Sequence, residues 1–214
     1  KGSDLLPSVA KLDDASERLI GQLLERGDFD AALGNTQLVP FAPGLGADRI
    51  LLVGLGERDK CQEAAFIKAL DAAMAALVKL PVDEASATFT DVPLDDRDAV
   101  WKARKTLEAA ERAIYRFDHF KSSPAKAPSL AKLTLIVSDA GDAPLAKQGA
   151  ALGTAIGQGI NFTRTLGNLP GNVCTPRYLA EQAEALGRDS QGALDVEILD
   201  EEALEALGAH SLLS

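Results

Sequence analysis

Two histidines and two cysteines are the side chains best suited to nucleophilic or metal chemistry in this chain of 214 residues. Their spacing suits neither. A Ser or Cys nucleophile needs a histidine base and an acid to orient that base. His119 and His210 lack such neighbours, and no Gly-x-Ser-x-Gly turn occurs, so both histidines read as structural. Cys174 lies in a Pro/Gly-rich stretch beside a helix N-cap, where the helix dipole lowers a thiol pKa. With no base nearby it reads as a small packing residue. Cys61 is far from it in sequence, so there is no disulfide framework and no Cys/His zinc spacing.

Carboxylates come in pairs at Asp13-Asp14, Glu25 with Asp28, Asp95-Asp96 and Glu201-Glu202. All fall at expected helix ends, where the helix dipole accounts for them without a metal. Gly54-Leu-Gly56 follows an apolar run, as a phosphate cradle would. The third glycine of a dinucleotide fingerprint would fall at Asp59, and Glu57 adds a second repelling charge. A tight turn after a strand is the better reading. Gly44-Leu-Gly46 precedes a strand and is weaker still. These residues therefore give no catalytic, cofactor-binding or metal site in this chain.

The elements that would carry a site follow from periodicity. Residues 13–26 read as one amphipathic helix with Leu12, Leu19, Ile20, Leu23 and Leu24 on its stripe and Gly27 as its stop. A short strand is expected at 36–41. A continuously apolar one at 49–53 is expected to be covered on both faces. Helices are expected at 62–79 and 98–117, an alternating strand at 84–90, a loop at 121–128 and a buried strand at 133–137. Strands separated by such helices indicate an α/β layered sheet. A helix from Pro144 to Leu166 carries Gly149, Gly153 and Gly157 at four-residue spacing, each costing roughly 1 kcal/mol of propensity against Ala. Either a neighbouring backbone packs closely on that face or this is a linker helix without a special partner. Thr175 and Pro176 cap a helix over 178–186 that stops at Gly187. A strand is expected at 194–199, a short helix capped by Asp200 and ended by Gly208, and the start of a further strand at 211–214.

Composition bounds the class. Hydrophobic residues are 46% of the chain, charged 25% and aromatic 5%, enough apolar material for a core. No apolar run approaches the roughly 20 residues that span a bilayer, and no basic region precedes an apolar one as in a secretory signal. Net charge is −10, which repels nucleic acid and anionic membrane. The charge is uneven. Residues 97–133 hold nine Lys/Arg against four Asp/Glu, and 167–214 hold two against nine. The basic stretch is read first as a solvated helix face and second as a phosphate-backbone contact through Lys102, Arg104 and Lys105.

The informative stretch begins at Asn161. Arg164, Leu166, Asn168, Pro170, Asn172, Thr175, Pro176, Leu179 and Ala180 fit Arg-x-Leu-x-Asn-x-Pro-x-Asn-x-x-Thr-Pro-x-x-Leu-Ala. This closely resembles a segment of the leucyl aminopeptidases, the cytosol aminopeptidase family of di-metal peptidases. Residues 48–56 resemble that family's N-terminal strand and turn, and 115–121 resemble its Tyr-x-Phe-Asp-x-x-Lys element. Residues 201–214 resemble the helix and strand before its active-site strands.

The resemblance implies a macro-domain-like, three-layer α/β domain over 1–140, a linker helix over 141–166, and the incomplete start of an α/β peptidase domain over 167–214. It implies a cytoplasmic enzyme that releases N-terminal residues from peptides with two divalent ions, manganese or zinc, in a hexamer. The family's motifs like Lys-Gly-Ile-Thr-Phe-Asp-Ser-Gly-Gly and Asn-Thr-Asp-Ala-Glu-Gly-Arg-Leu do not occur here, so no catalytic or metal residue carries over. The family's first strand also looks missing before Lys1. The chain is therefore expected to be an inactive N-terminal portion serving assembly and active-site access, with no metal of its own and peptide substrate held elsewhere. The rival expectation is a DNA- or nucleotide-binding module of the same protein.

Overall fold

A computed structural model describes residues 5–213. The chain divides into two compact units, one ending at Phe162 and the other beginning at Thr163.

The first unit opens with two helices where one was expected: α1 (Pro7–Ala15) and α2 (Leu19–Arg26). The break is local chemistry. Ser16 Oγ donates to Leu12 O at 2.7 Å, which competes with helix continuation. Glu17 and Arg18 then turn left-handed, with φ of 56° and 62°. Asp13 Oδ1 accepts the Gly21 N–H at 2.9 Å and ties the two helices together. Gly27 ends α2 with φ 77°. A left-handed Glu costs about 1 kcal/mol, so Glu17→Gly is expected to raise stability by about 0.5–1 kcal/mol. Urea midpoints of the two chains check this.

Next come β1 (Thr36–Val39) and β2 (Ile50–Val53), an antiparallel pair with Thr36 opposite Val53. Only Leu52 of β2 is fully buried, so this strand is less covered than its apolar run led us to expect. Helix α3 (Glu63–Leu77) buries Phe66, Ala69, Leu70, Ala73 and Met74 on one face. Strand β3 (Glu84–Ala87) alternates in burial as its sequence does. Asp98 caps α4 (Ala99–Ile114) by accepting the Trp101 N–H at 2.8 Å. Tyr115 leaves the helix in an extended conformation, so Phe117 lies outside it. Strand β4 (Lys132–Leu135) pairs parallel to β3, Ala85 opposite Leu133. It is half-exposed rather than buried on both faces.

The main core joins Phe66, Leu70 and Met74 of α3 to Val92 and to Ala109 and Ala110 of α4. Phe66 lies 5.7 Å from the Trp101 ring and meets Phe89 edge-on at 6.1 Å. A second cluster holds Ile20, Phe29, Val39 and Leu52. Helix α5 (Ala143–Asn168) spans the division between the units.

The second unit holds α6 (Pro176–Asp189) and α7 (Glu201–Ala206). Thr175 and Asp200 cap them, accepting the N–H groups of Tyr178 at 3.3 Å and Ala203 at 2.9 Å. Helix α6 runs past Gly187, which packs near Val196 and does not take the left-handed conformation that ends a helix. Residues 194–199 lie in no strand among the described residues, so the expected strand does not form. The expected strand start at 211–214 is instead a 3-10 turn over His210–Leu212; Ser214 lies outside the described residues.

Candidate functional site

In sheets of this kind, ligand crevices lie beyond the carboxyl ends of parallel strands. At those ends of β3 and β4, Asp91 accepts from the Ser138 N–H at 3.1 Å and from its hydroxyl at 2.5 Å. Thr90 Oγ1 donates to Ile136 O, and Lys102 Nζ donates to Thr90 O at 2.9 Å and Val92 O at 3.1 Å. The polar groups here satisfy one another and clamp the strand ends.

Burial works to raise the Asp91 pKa, but hydrogen bonds from Ser138 and Ser8 together outweigh it and hold the carboxyl below its usual range. A carboxylate depressed in the folded state stabilises above its unfolded pKa, near 3.9, and that contribution fades as pH falls through the folded value. Asp91→Asn is therefore expected to cost about 1 kcal/mol at pH 7, a hydrogen-bond contribution reduced by solvent screening, and less at pH 2, where more of the carboxyl is protonated. Unfolding curves at both pH values measure the difference.

The sequence candidates do not converge. Gly54 packs against Ala31 and Ala32, and Gly56, with φ 76°, against Leu33, so both serve a turn rather than a phosphate. Gly44, with φ 75°, abuts the Ala15 carbonyl, and Gly46 meets nothing within 4 Å. Cys61 packs at the main core, where burial pushes its thiol pKa up. Cys174 is half-buried in the turn before α6, its N–H donating to Pro170 O at 2.9 Å. His119 stacks on Phe117 at 5.7 Å, and His210 sits in its 3-10 turn. Glu201 and Glu202 occupy the first turn of α7, where the dipole favours them. Asp13 does more than complement a dipole, since it is buried and bridges two helices. Glu25 pairs with Arg18 at 2.8 Å, and Asp96 takes a left-handed turn with φ 59°.

The basic stretch is largely spent on the chain's own carboxylates and carbonyls. Arg97 pairs with Glu63, Arg112 with Asp71 at 2.5 Å and Lys132 with Glu84 at 3.0 Å, all acids from outside the stretch. Arg104 and Lys105 flank the buried Glu108 at 3.2 and 2.7 Å. Arg116 and Lys121 hold Asp118 at 2.6 and 2.8 Å; Lys121 first, then Arg116, keep its pKa low against the opposing effect of burial. Lys102 is bound to two carbonyls. None of the three residues weighed for phosphate contact presents an unpaired head group.

Close backbone packing explains the glycine stripe of α5. A Cβ on Gly149 would overlap the Val100 carbonyl of α4. One on Gly153 would overlap Arg104 O and come within 2.9 Å of Leu107 Cβ, and one on Gly157 would overlap the Glu111 side chain. Asn161 Nδ2 continues the seam by donating to Glu111 O at 2.8 Å.

The sequence matches the cytosol aminopeptidase family, N-terminal domain, over residues 1–124, and the catalytic domain of that family over residues 161–214. The chain belongs to the cytosol aminopeptidase family. The resemblance read from residues 161 onward is thereby borne out. A probable cytosol aminopeptidase of Chromohalobacter salexigens is 67% identical over all of this chain, which spans 42% of that relative. One from Methylobacillus flagellatus is 43% identical over 96% of the chain and 41% of its own length. The chain thus spans about two fifths of the curated relatives it matches. Among solved structures, a tomato leucine aminopeptidase mutant superposes with a TM-score of 0.74 at 24% identity, covering 95% of this chain and 39% of its own. The bottromycin maturation enzyme BotP in complex with Mn gives 0.68 at 24% identity, covering 86% of this chain and 36% of its own. Both confirm the α/β fold class.

In this member of the cytosol aminopeptidase family, the signature residues 164–180 end one helix and start the next. Leu169 is buried, Pro170 O accepts the N–H groups of Val173 and Cys174 at 2.8 and 2.9 Å, and Thr175 with Pro176 begins α6. Among the described residues no three His, Cys, Asp or Glu come together as a metal would require. No helix among them is long and apolar enough to cross a membrane.

Proposed function

We propose that this chain is the N-terminal portion of a metal-dependent leucyl aminopeptidase, a cytoplasmic hydrolase that releases N-terminal residues from peptides. The observation that carries the reading is the match to both domains of one family, with a relative 67% identical and more than twice as long. The domain plan is the one read from sequence: residues 1–140 as the accessory domain, 141–166 as linker helix, and 167–214 as the first part of the peptidase domain. The two ions, manganese or zinc, and the peptide belong to the part of the enzyme outside this chain. The portion here serves subunit assembly, in a hexamer, and access to the active site. A nucleic-acid role is the weaker reading, because the cations it needs are already paired.

The test is hydrolysis of leucine amide with manganese or zinc against a chelator control. The 214-residue chain is expected to show no metal-dependent turnover, and the chain continued to its relatives' length is expected to show it. Turnover by the shorter chain that the chelator abolishes would overturn the placement of the metal centre. No turnover by the longer one would overturn the aminopeptidase reading.

A further inference from the structure

Helix α5 carries a second apolar stripe that the described residues cover only in part. Leu145, Leu152, Ile156 and Ile160 recur at spacings of seven, four and four residues, so they share one face. They are 40, 44, 39 and 42% exposed, while Ala146, Gly149, Gly153 and Gly157 bury the neighbouring face against α4. Between residues 143 and 162 the only charged side chain is Lys147. A solvated surface helix carries charges opposite its buried stripe, whereas one apolar over this much of its circumference is normally covered.

We propose that the Leu145, Leu152, Ile156 and Ile160 face of α5 is the seat of a catalytic-domain segment that the relatives carry outside the two fifths matched here. The proposal rests on reading the chain as part of a longer cytosol aminopeptidase. Three observations select this occupant. The catalytic-domain match begins at residue 161, directly after Ile160, so the face runs into that domain. The apolar side chains of the catalytic-domain portion present here are themselves largely open. Leu179, Leu186, Leu194, Ile198, Leu207 and Leu212 are exposed, and Leu169 is its one buried hydrophobic residue among those described, so most of that domain's core material lies elsewhere. Four partly exposed side chains also fall well short of the roughly 800 Å² per partner of a standard interface between separate molecules. A tethered segment needs no such area, because the connection supplies a high effective concentration. The near absence of charge on the helix likewise suits a permanent contact rather than one that opens to water.

The test is thiol labelling with a maleimide after Ile156→Cys, read by peptide mass spectrometry so that Cys61 and Cys174 are scored separately. Leu152→Cys is a second probe, and Gln158→Cys, exposed on the opposite side of α5, is the control. The expected result is rapid labelling of both probes in the 214-residue chain and at least tenfold slower labelling in the chain continued to its relatives' length, with the control fast in both. Equal rates in the two chains would overturn the proposal. So would protection in the 214-residue chain that disappears on dilution, which would make a second copy the occupant. Leucine amide hydrolysis by the longer chain is scored separately. Its absence would remove the aminopeptidase reading, whereas unprotected probes in an active enzyme would remove this proposal alone.

Discussion

Gly149→Val is expected to cost about 3 kcal/mol or more. The added Cβ would collide with the Val100 carbonyl, which is helix main chain and cannot rotate away as a side-chain tip could. Overpacking in a core typically costs about 1–3 kcal/mol even when side chains give way. Here α4 and α5 would have to separate along the seam from Gly149 to Asn161. The informative control is Gly159→Ala in the same helix. A Cβ there meets nothing within 4 Å, so the substitution is expected to stabilise by about 0.5–1 kcal/mol through helix propensity alone. Urea unfolding of the two variants should move in opposite directions from the parent. A Gly149→Val chain as stable as the parent would mean that α5 does not lie this close to α4.

Phe66→Ala is the second large loss, expected to cost about 3–5 kcal/mol. The ring is wholly buried and touches both Phe89 and Trp101, so truncation leaves a cavity between α3 and α4 that neither ring can fill without leaving its rotamer. Phe41 is the matched comparison. It is 81% exposed, and Phe41→Ala is expected to change stability by no more than about 0.5 kcal/mol. Given the usual 5–15 kcal/mol of a folded domain, the first substitution removes a large share of the total and the second almost none. Thermal or urea midpoints that ranked the two alike would contradict the assigned core.

Both results depend on distinguishing what is local in the chain from what is not. The helix expected over 62–79, which buries Phe66, Leu70 and Met74, was legible because helical periodicity is written within one segment. So were two caps: Thr175 and Asp200 each accept a backbone N–H three residues on. The signature at 164–180 was legible for a different reason, since its fixed spacings already identified the family. The break at Ser16 was not. The hydrophobic stripe runs straight through it, and a serine hydroxyl bonding back to Leu12 leaves no periodic mark.

By itself, then, the sequence determined the α/β class, most helix starts and the cytosol aminopeptidase kinship, because each is encoded by neighbours in the chain. Tertiary structure alone decided which strands pair and which charges are used. The run at 194–199 alternates like a strand yet stays unpaired, since strand formation needs a partner and propensity supplies none. The basic stretch at 97–133 looked like an available cationic face until Glu63, Asp71 and Glu84 arrived from elsewhere in the sequence. The glycines of α5 remained ambiguous until α4 lay against them. For the charges and the glycines the deciding interaction joins residues tens of positions apart, and only folding brings those atoms within reach.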